Sequence, residues 1–209
     1  MIIIGRKSRN TDQALIKAGI ELIAQGNYDP TVRAICTLAN VNQGMFVYYF
    51  GFKEEYMKVL FQKIYEDYLS KLQDYPEKDA KAAIQLQQIF YRMTKYFIEN
   101  FNTANFLTEA ALYHSKAASY FTNYRVQHFI FVRTLIEQAQ REGDICSDMN
   151  SYEIYTTLQS ILIQPIIIKN NILQQHKNEP LMDKLKLIDV SSESSLQKRL
   201  RVAFKGLRP

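Results

Sequence analysis

A chain of 209 residues with 47% hydrophobic content can bury a sizeable core, which excludes disorder as its main state. Its formal charge of +5, from 26 basic and 21 acidic residues, suits a polyanionic partner without demanding one. The two cysteines, Cys36 and Cys146, are too far apart to form a disulfide framework or a metal motif, which points to a reducing, cytoplasmic setting.

The opening MIIIGRKSRN has only three branched apolar residues before glycine and charge, too few for a secretory signal, and reads as a basic arm carrying Arg6, Lys7 and Arg9. From there the hydrophobic spacing is helical nearly throughout, so the expected class is all-α. Between Asp12 and about Gln25 the positions Leu15, Ala18, Leu22 and Ile23 recur every three or four residues, with Thr11 or Asp12 as cap and Gly26 as terminator. Tyr28, Asp29 and Pro30 break the chain, and Thr31 then caps a short helix whose Val32, Ile35, Cys36 and Ala39 face inward. Asn40 tolerates a left-handed backbone, and Asn42 caps a third helix. A fourth begins near Lys53, with Glu54 and Glu55 in a first turn that favours negative charge, and ends near Tyr75 ahead of Pro76.

Further helices are expected over residues 78–101, 104–114, 117–141, 151–175 and 192–206. Their joints fall at Asn102 to Asn105, Ser115 to Ala118, Gly143 to Asn150 and Gln174 to Pro180. The most apolar run, residues 161–168, is interrupted by Gln164 and Pro165 and falls far short of the roughly 20 residues that cross a bilayer, so no membrane partner is expected. It reads as a buried dimer seam that Pro165 bends or breaks. The coarse division is a head of residues 1–55 and a helical body of residues 56–209, with the fourth helix shared between them rather than a flexible linker.

Residues 31 to 50 have the arrangement that major-groove reading needs, a helix with exposed residues in its first turn and a neighbouring helix that fixes its angle. Asn42, Gln43 and Met45 stand at the start of the reading helix, and Gly44 removes a side chain where close approach is needed. Gln43 can pair with adenine, and Met45 can pack on a thymine methyl. Phe46 and Phe50, four apart, belong to the core, whereas Tyr48 and Tyr49 point elsewhere and can donate phenolic hydrogen bonds to phosphate. Lys53 supplies a point charge to the same backbone, and Thr31 with the first turn of its helix offers a hydroxyl and free amides, assisted by Arg33.

These residues carry a resemblance. Residues 11 to 57 look like the N-terminal DNA-binding domain of the TetR family of transcriptional regulators, through Gly26, Thr31-Val32-Arg33, Ile35-Cys36, Ala39-Asn40-Val41, Asn42-Gln43-Gly44, Phe46-Val47, Tyr48-Tyr49-Phe50 and Lys53 at the family's spacing without insertion. The chain departs from that pattern with Asn40 for a glycine, Tyr49 for a histidine and Gln43 for a lysine. Less sharply, Arg141 to Ile145 resembles the turn before the family's last helix pair, and Phe204 to Leu207 its ending. The resemblance implies a homodimer through residues 151–175 and 192–206, binding double-stranded DNA at a two-fold operator. It further implies repression relieved when a small-molecule effector enters the body and shifts the fourth helix.

Other classes have less support. No serine elbow, phosphate loop or helical metalloprotease signature occurs, so no enzyme and no cofactor are expected. His114, His128 and His176 are scattered without metal spacing. Cys36 reads as a small buried hydrophobe, and Cys146 as a more exposed thiol. The body's aromatics, among them Tyr91, Phe97, Phe101, Phe106, Tyr113, Tyr120, Tyr124 and Phe131, are mostly core, with a few phenols, Asn105, His114 or His128 available to orient an apolar effector. The basic residues Lys198, Arg199, Arg201, Lys205 and Arg208 read as a solvated helix face. The competing function is a helical protein-interaction module that keeps the regulator fold with weak or non-specific DNA binding.

Overall fold

The computed structural model describes residues 10–73, 79–112, 118–175 and 181–209, with the side chains at 73, 110–112, 118–128, 175 and 181 outside that description. Arg6, Lys7, Arg9, Pro76, Tyr113, His114 and His176, and the side chains of Tyr120, Tyr124 and His128, therefore lie outside the described residues. The described elements are all helices: α1 (Thr11–Ala24), α2 (Val32–Ala39), α3 (Gln43–Phe50), α4 (Lys53–Gln73), α5 (Ala82–Glu99), α6 (Phe101–Leu112), α7 (Ala118–Arg141), α8 (Ser151–Leu162), α9 (Gln164–Gln175), α10 (Leu181–Leu187) and α11 (Glu193–Gly206). None of them is long and apolar enough to cross a membrane. The chain forms two units, one of the described residues up to Asp67 with those of 102–121, the other of Tyr68–Phe101 and the described residues from Thr122 onward.

In the first unit α1, α2 and α3 pack on one another around Leu15, Ile23, Ile35, Cys36, Phe46, Tyr56 and Leu60, all buried. The spacing anticipated Ile35 and Cys36, whereas Leu22, Val32 and Ala39 are only half-buried. The expected cap of α1 needs correction: Asn10 occupies the cap position without a side-chain bond, and Thr11 is already the first helical residue. Tyr56, from α4, closes this core; its hydroxyl donates to the Leu15 carbonyl at 2.8 Å. Burial raises the pKa of that phenol well above its ordinary value.

The first half of α6 completes the unit. Asn102 Nδ2 donates to the Ala24 carbonyl at 2.8 Å, and Asn105 Nδ2 reaches Glu109 Oε1 at 3.0 Å and the Tyr28 hydroxyl at 3.3 Å. The Phe106 ring lies 5.9 Å from Tyr28 and 6.0 Å from Phe61. Asn102 to Asn105 was expected to be a joint, yet it lies inside α6, because these side chains hydrogen-bond other groups and leave their own backbone helical.

In the second unit α5, α8 and α11 pack together, with α9 against α8 and α10 against α9. Asn150 and Glu153 form a capping box at the start of α8. The helix expected over residues 151–175, with a bend or break at Pro165, is two; the break falls at Ile163, and Pro165 stands in the first turn of α9, where its missing N–H costs nothing. Leu162, Ile163 and Ile166 are buried within the unit itself, so of the apolar residues in the expected seam Ile168 is the clearly exposed one.

The helix α10 is unanticipated; its last carbonyls are held by Lys169, whose ammonium donates to Lys186 O at 3.2 Å and to Ile188 O. Arg199 is likewise not part of a solvated face. Its guanidinium donates to the carbonyls of Leu162 at 2.8 Å and Val190 at 2.5 Å, fastening the end of α8 to the loop before α11. Lys198, Arg201, Lys205 and Arg208 are exposed.

Candidate nucleic-acid interface

The start of α2 and the turn from α2 to α3 are set by two side-chain caps and one left-handed residue. Thr31 Oγ accepts from the Ala34 amide at 3.1 Å, satisfying one of the free donors that begin α2. Asn40 takes the left-handed conformation at φ 54°, so that its own amide bonds Thr37 O at 3.2 Å and that of Val41 bonds Cys36 O at 2.9 Å, a Schellman closure. Asn42 Oδ1 then accepts from the Met45 amide at 3.0 Å and starts α3. A Cβ at Gly44 would stand 3.2 Å from that same oxygen, so the glycine also protects the cap.

The two faces of α3 are distinct. Gln43, Gly44, Val47 and Tyr48 are exposed, Val47 by 58% and Tyr48 by 63%, and their spacing of one and four makes one continuous stripe. On the opposite side Phe46 is 1% exposed, its ring 5.5 Å from Phe50 and 5.0 Å from Tyr56, while Phe50 meets Tyr56 edge-on at 4.9 Å. Met45, Tyr49 and Phe50 are half-buried. Tyr49 leans edge-on against Tyr48 at 5.2 Å, placing it at the rim of the stripe. Val47, absent from the residues the sequence singled out, stands four after Gln43, and that spacing places it on the open side.

Thr31 and Arg33 are exposed at the start of α2. Lys53, the first residue of α4, is held by Asp29 at 2.6 Å and so carries a countercharge from the loop between α1 and α2. A phosphate at Lys53 must compete with that carboxylate. Asp29→Asn is therefore expected to strengthen duplex binding at low salt and to steepen its salt dependence by about one unit of slope, measured by fluorescence anisotropy over a salt series. Weaker binding in the variant would instead show that Asp29 serves to position Lys53.

Neither cysteine is set up as a reactive thiolate: burial raises the thiol pKa of Cys36, and burial together with Asp148 raises that of half-buried Cys146. Chemically, the stripe offers a carboxamide, a bare backbone, a branched apolar group and a phenol. Those are groups for docking on a surface by hydrogen bonds and packing.

Comparison with known proteins bears on this assignment. Residues 15–58 match the family model described as bacterial regulatory proteins, tetR family. No curated protein is matched by sequence. Similar solved structures include a candidate fatty acid metabolism regulator from Clostridium perfringens, with a TM-score of 0.68 at 18% identity over 94% of this chain and 99% of that one. A TetR family transcription regulator from Marinobacter aquaeolei VT8 has a TM-score of 0.65 at 13% identity over 95% of each chain. The ketosteroid transcriptional regulator KstR2 of Mycobacterium tuberculosis has a TM-score of 0.65 at 16% identity over the whole of both. At these identities the structures establish a shared fold, and the match at the N-terminus falls on the helices that build the stripe. Residues 15–58 thus carry the N-terminal domain described for the tetR family of bacterial regulatory proteins, and the chain as a whole shares the fold of these solved regulators.

Proposed function

We propose that the chain is a dimeric, sequence-specific transcriptional regulator, a repressor that a small-molecule effector releases from a two-fold operator. The observation that carries this reading is the stripe Gln43, Gly44, Val47 and Tyr48, exposed on a helix whose angle is fixed by the Asn40 turn and the Asn42 cap. In this reading Gln43 and Met45 approach base edges and Gly44 permits that approach, with Asn42 holding the start of the helix. Tyr48, Tyr49 and Lys53 bind phosphates on one side, Thr31 and Arg33 on the other. The head is residues 1–55 and the body residues 56–209.

A dimer through α8, α9 and α11 is supported by Tyr152, Ile168 and Val202, apolar side chains exposed on those three helices. The effector class proposed is an apolar small molecule, in keeping with two of the similar structures, whose names speak of fatty acid metabolism and of ketosteroids. Selection of bound fragments from a pool of random duplexes tests the proposal. An enriched two-fold site whose binding is lost when Tyr48 and Lys53 are both changed to Ala supports it. Salt-sensitive binding with no preferred site would sink it and favour a protein-interaction module, the alternative to which the Asp29 countercharge on Lys53 gives some weight.

A further inference from the structure

We propose that the base pairs under the first two turns of α3 are A·T pairs, with Gln43 reading adenine and Val47 packing on thymine methyls, and that this helix reads no guanine. The inference rests on the proposed DNA-binding function and names what that surface recognises.

Guanine in the major groove is most often read by an arginine or lysine that spans its two acceptors. Between Thr31 and Phe50 the only charged residue is Arg33, and it stands at the start of α2, the helix that crosses the backbone rather than the one that enters the groove. The other side chains of the reading turn are unsuited to the task. Asn42 has its carboxamide oxygen committed to the Met45 amide at 3.0 Å, and Gly44 has no side chain. Tyr48 has a single hydroxyl, which cannot form a two-pronged contact.

What remains is Gln43 and, one turn on, Val47. The exposed carboxamide of Gln43 can donate an N–H to N7 of adenine while its carbonyl oxygen accepts from the adenine amino group. Val47 is 58% exposed, and its branched side chain has one strongly preferred rotamer in a helix, so it presents an apolar surface of fixed shape. The apolar feature unique to the major groove is the thymine methyl. Residues four apart on a helix have Cβ atoms about 5–6 Å apart, which is within two base-pair steps of roughly 3.4 Å along the duplex. Gln43 and Val47 therefore address neighbouring pairs. The sequence pointed to Met45 for the methyl contact, but Met45 is half-buried at the edge of the stripe, and Val47 lies nearer its centre.

The experiment uses the full-length protein and a duplex carrying its enriched half-sites, with each thymine replaced singly by deoxyuracil, which removes only the methyl. For the wild-type protein, deoxyuracil at one or two positions of each half-site should weaken binding about fourfold, the effect of one buried methyl-sized group. Val47→Ala, which changes both heads of the dimer, should bind the thymine duplex about fourfold more weakly per head, about sixteenfold in all, and be indifferent to the replacement. A thermal melt matching the wild type would show that Val47→Ala is folded. Gln43→Ala should relax base preference at the neighbouring adenine. Invariant G·C pairs beneath α3, or equal wild-type binding to the uracil and thymine duplexes, would overturn this assignment while leaving the regulator reading intact. A pool that yields no enriched site overturns both.

Discussion

Gly19→Ala is expected to destabilise the N-terminal unit by about 2–4 kcal/mol, even though alanine is the better helix former by about 1 kcal/mol. A Cβ at position 19 would stand 2.0 Å from the Tyr56 hydroxyl oxygen and 3.0 Å from both Leu60 methyls. Tyr56 is fully buried and its hydroxyl donates to Leu15 O at 2.8 Å, so the ring cannot withdraw without losing that bond and disturbing Phe46 and Phe50. Urea titration followed by circular dichroism reads the loss. Tyr56→Phe alone gives up the hydroxyl and its bond, a loss of about 1 kcal/mol, but it also removes the atom that clashes. The double variant Gly19→Ala/Tyr56→Phe should therefore be more stable than Gly19→Ala. A double variant as unstable as the sum of its parts would show that Leu60, rather than the phenol, sets the limit.

Phe46→Ala and Tyr48→Ala separate the two faces of α3. Phe46 is 1% exposed and touches two aromatic rings, so its truncation should cost about 3–5 kcal/mol and abolish DNA binding by loosening the head. Tyr48 is 63% exposed, and its truncation should leave stability within about 0.5 kcal/mol while removing a hydrogen bond to a charged phosphate, about 1.5–3 kcal/mol of binding. Melting and duplex titration of both variants should show opposite patterns. Equal losses of binding and stability in Tyr48→Ala would mean that the phenol belongs to the core.

The head was legible in the sequence where its structure depends on neighbours in the chain. Thr31 and Asn42 cap through residues three positions on, Asn40 bends the turn with its own backbone, and the Phe46 to Phe50 spacing fixes the phase of α3. What escaped depends on partners far away in sequence. The need for glycine at 19 comes from Tyr56, the neutralised charge of Lys53 from Asp29, and the docking of α6 in the first unit from Asn102 and Asn105 reaching Ala24 and Tyr28. In the body, the interruption at Gln164 and Pro165 announced a bend or break, but the apolar run did not show that Leu162 and Ile166 are buried within the unit itself, since periodicity records an apolar face and not which surface covers it. The basic helix likewise concealed Arg199, whose charge gave no sign that two backbone carbonyls would claim it.

Hydroxyl-radical footprinting of the enriched duplex by the full-length protein tests the two-headed reading most directly. The expected result is two protected patches on one face of the duplex, centred one helical turn, about 34–36 Å, or a multiple of that apart, and both lost with Tyr48→Ala. A single patch, or even protection along the whole fragment, would contradict it.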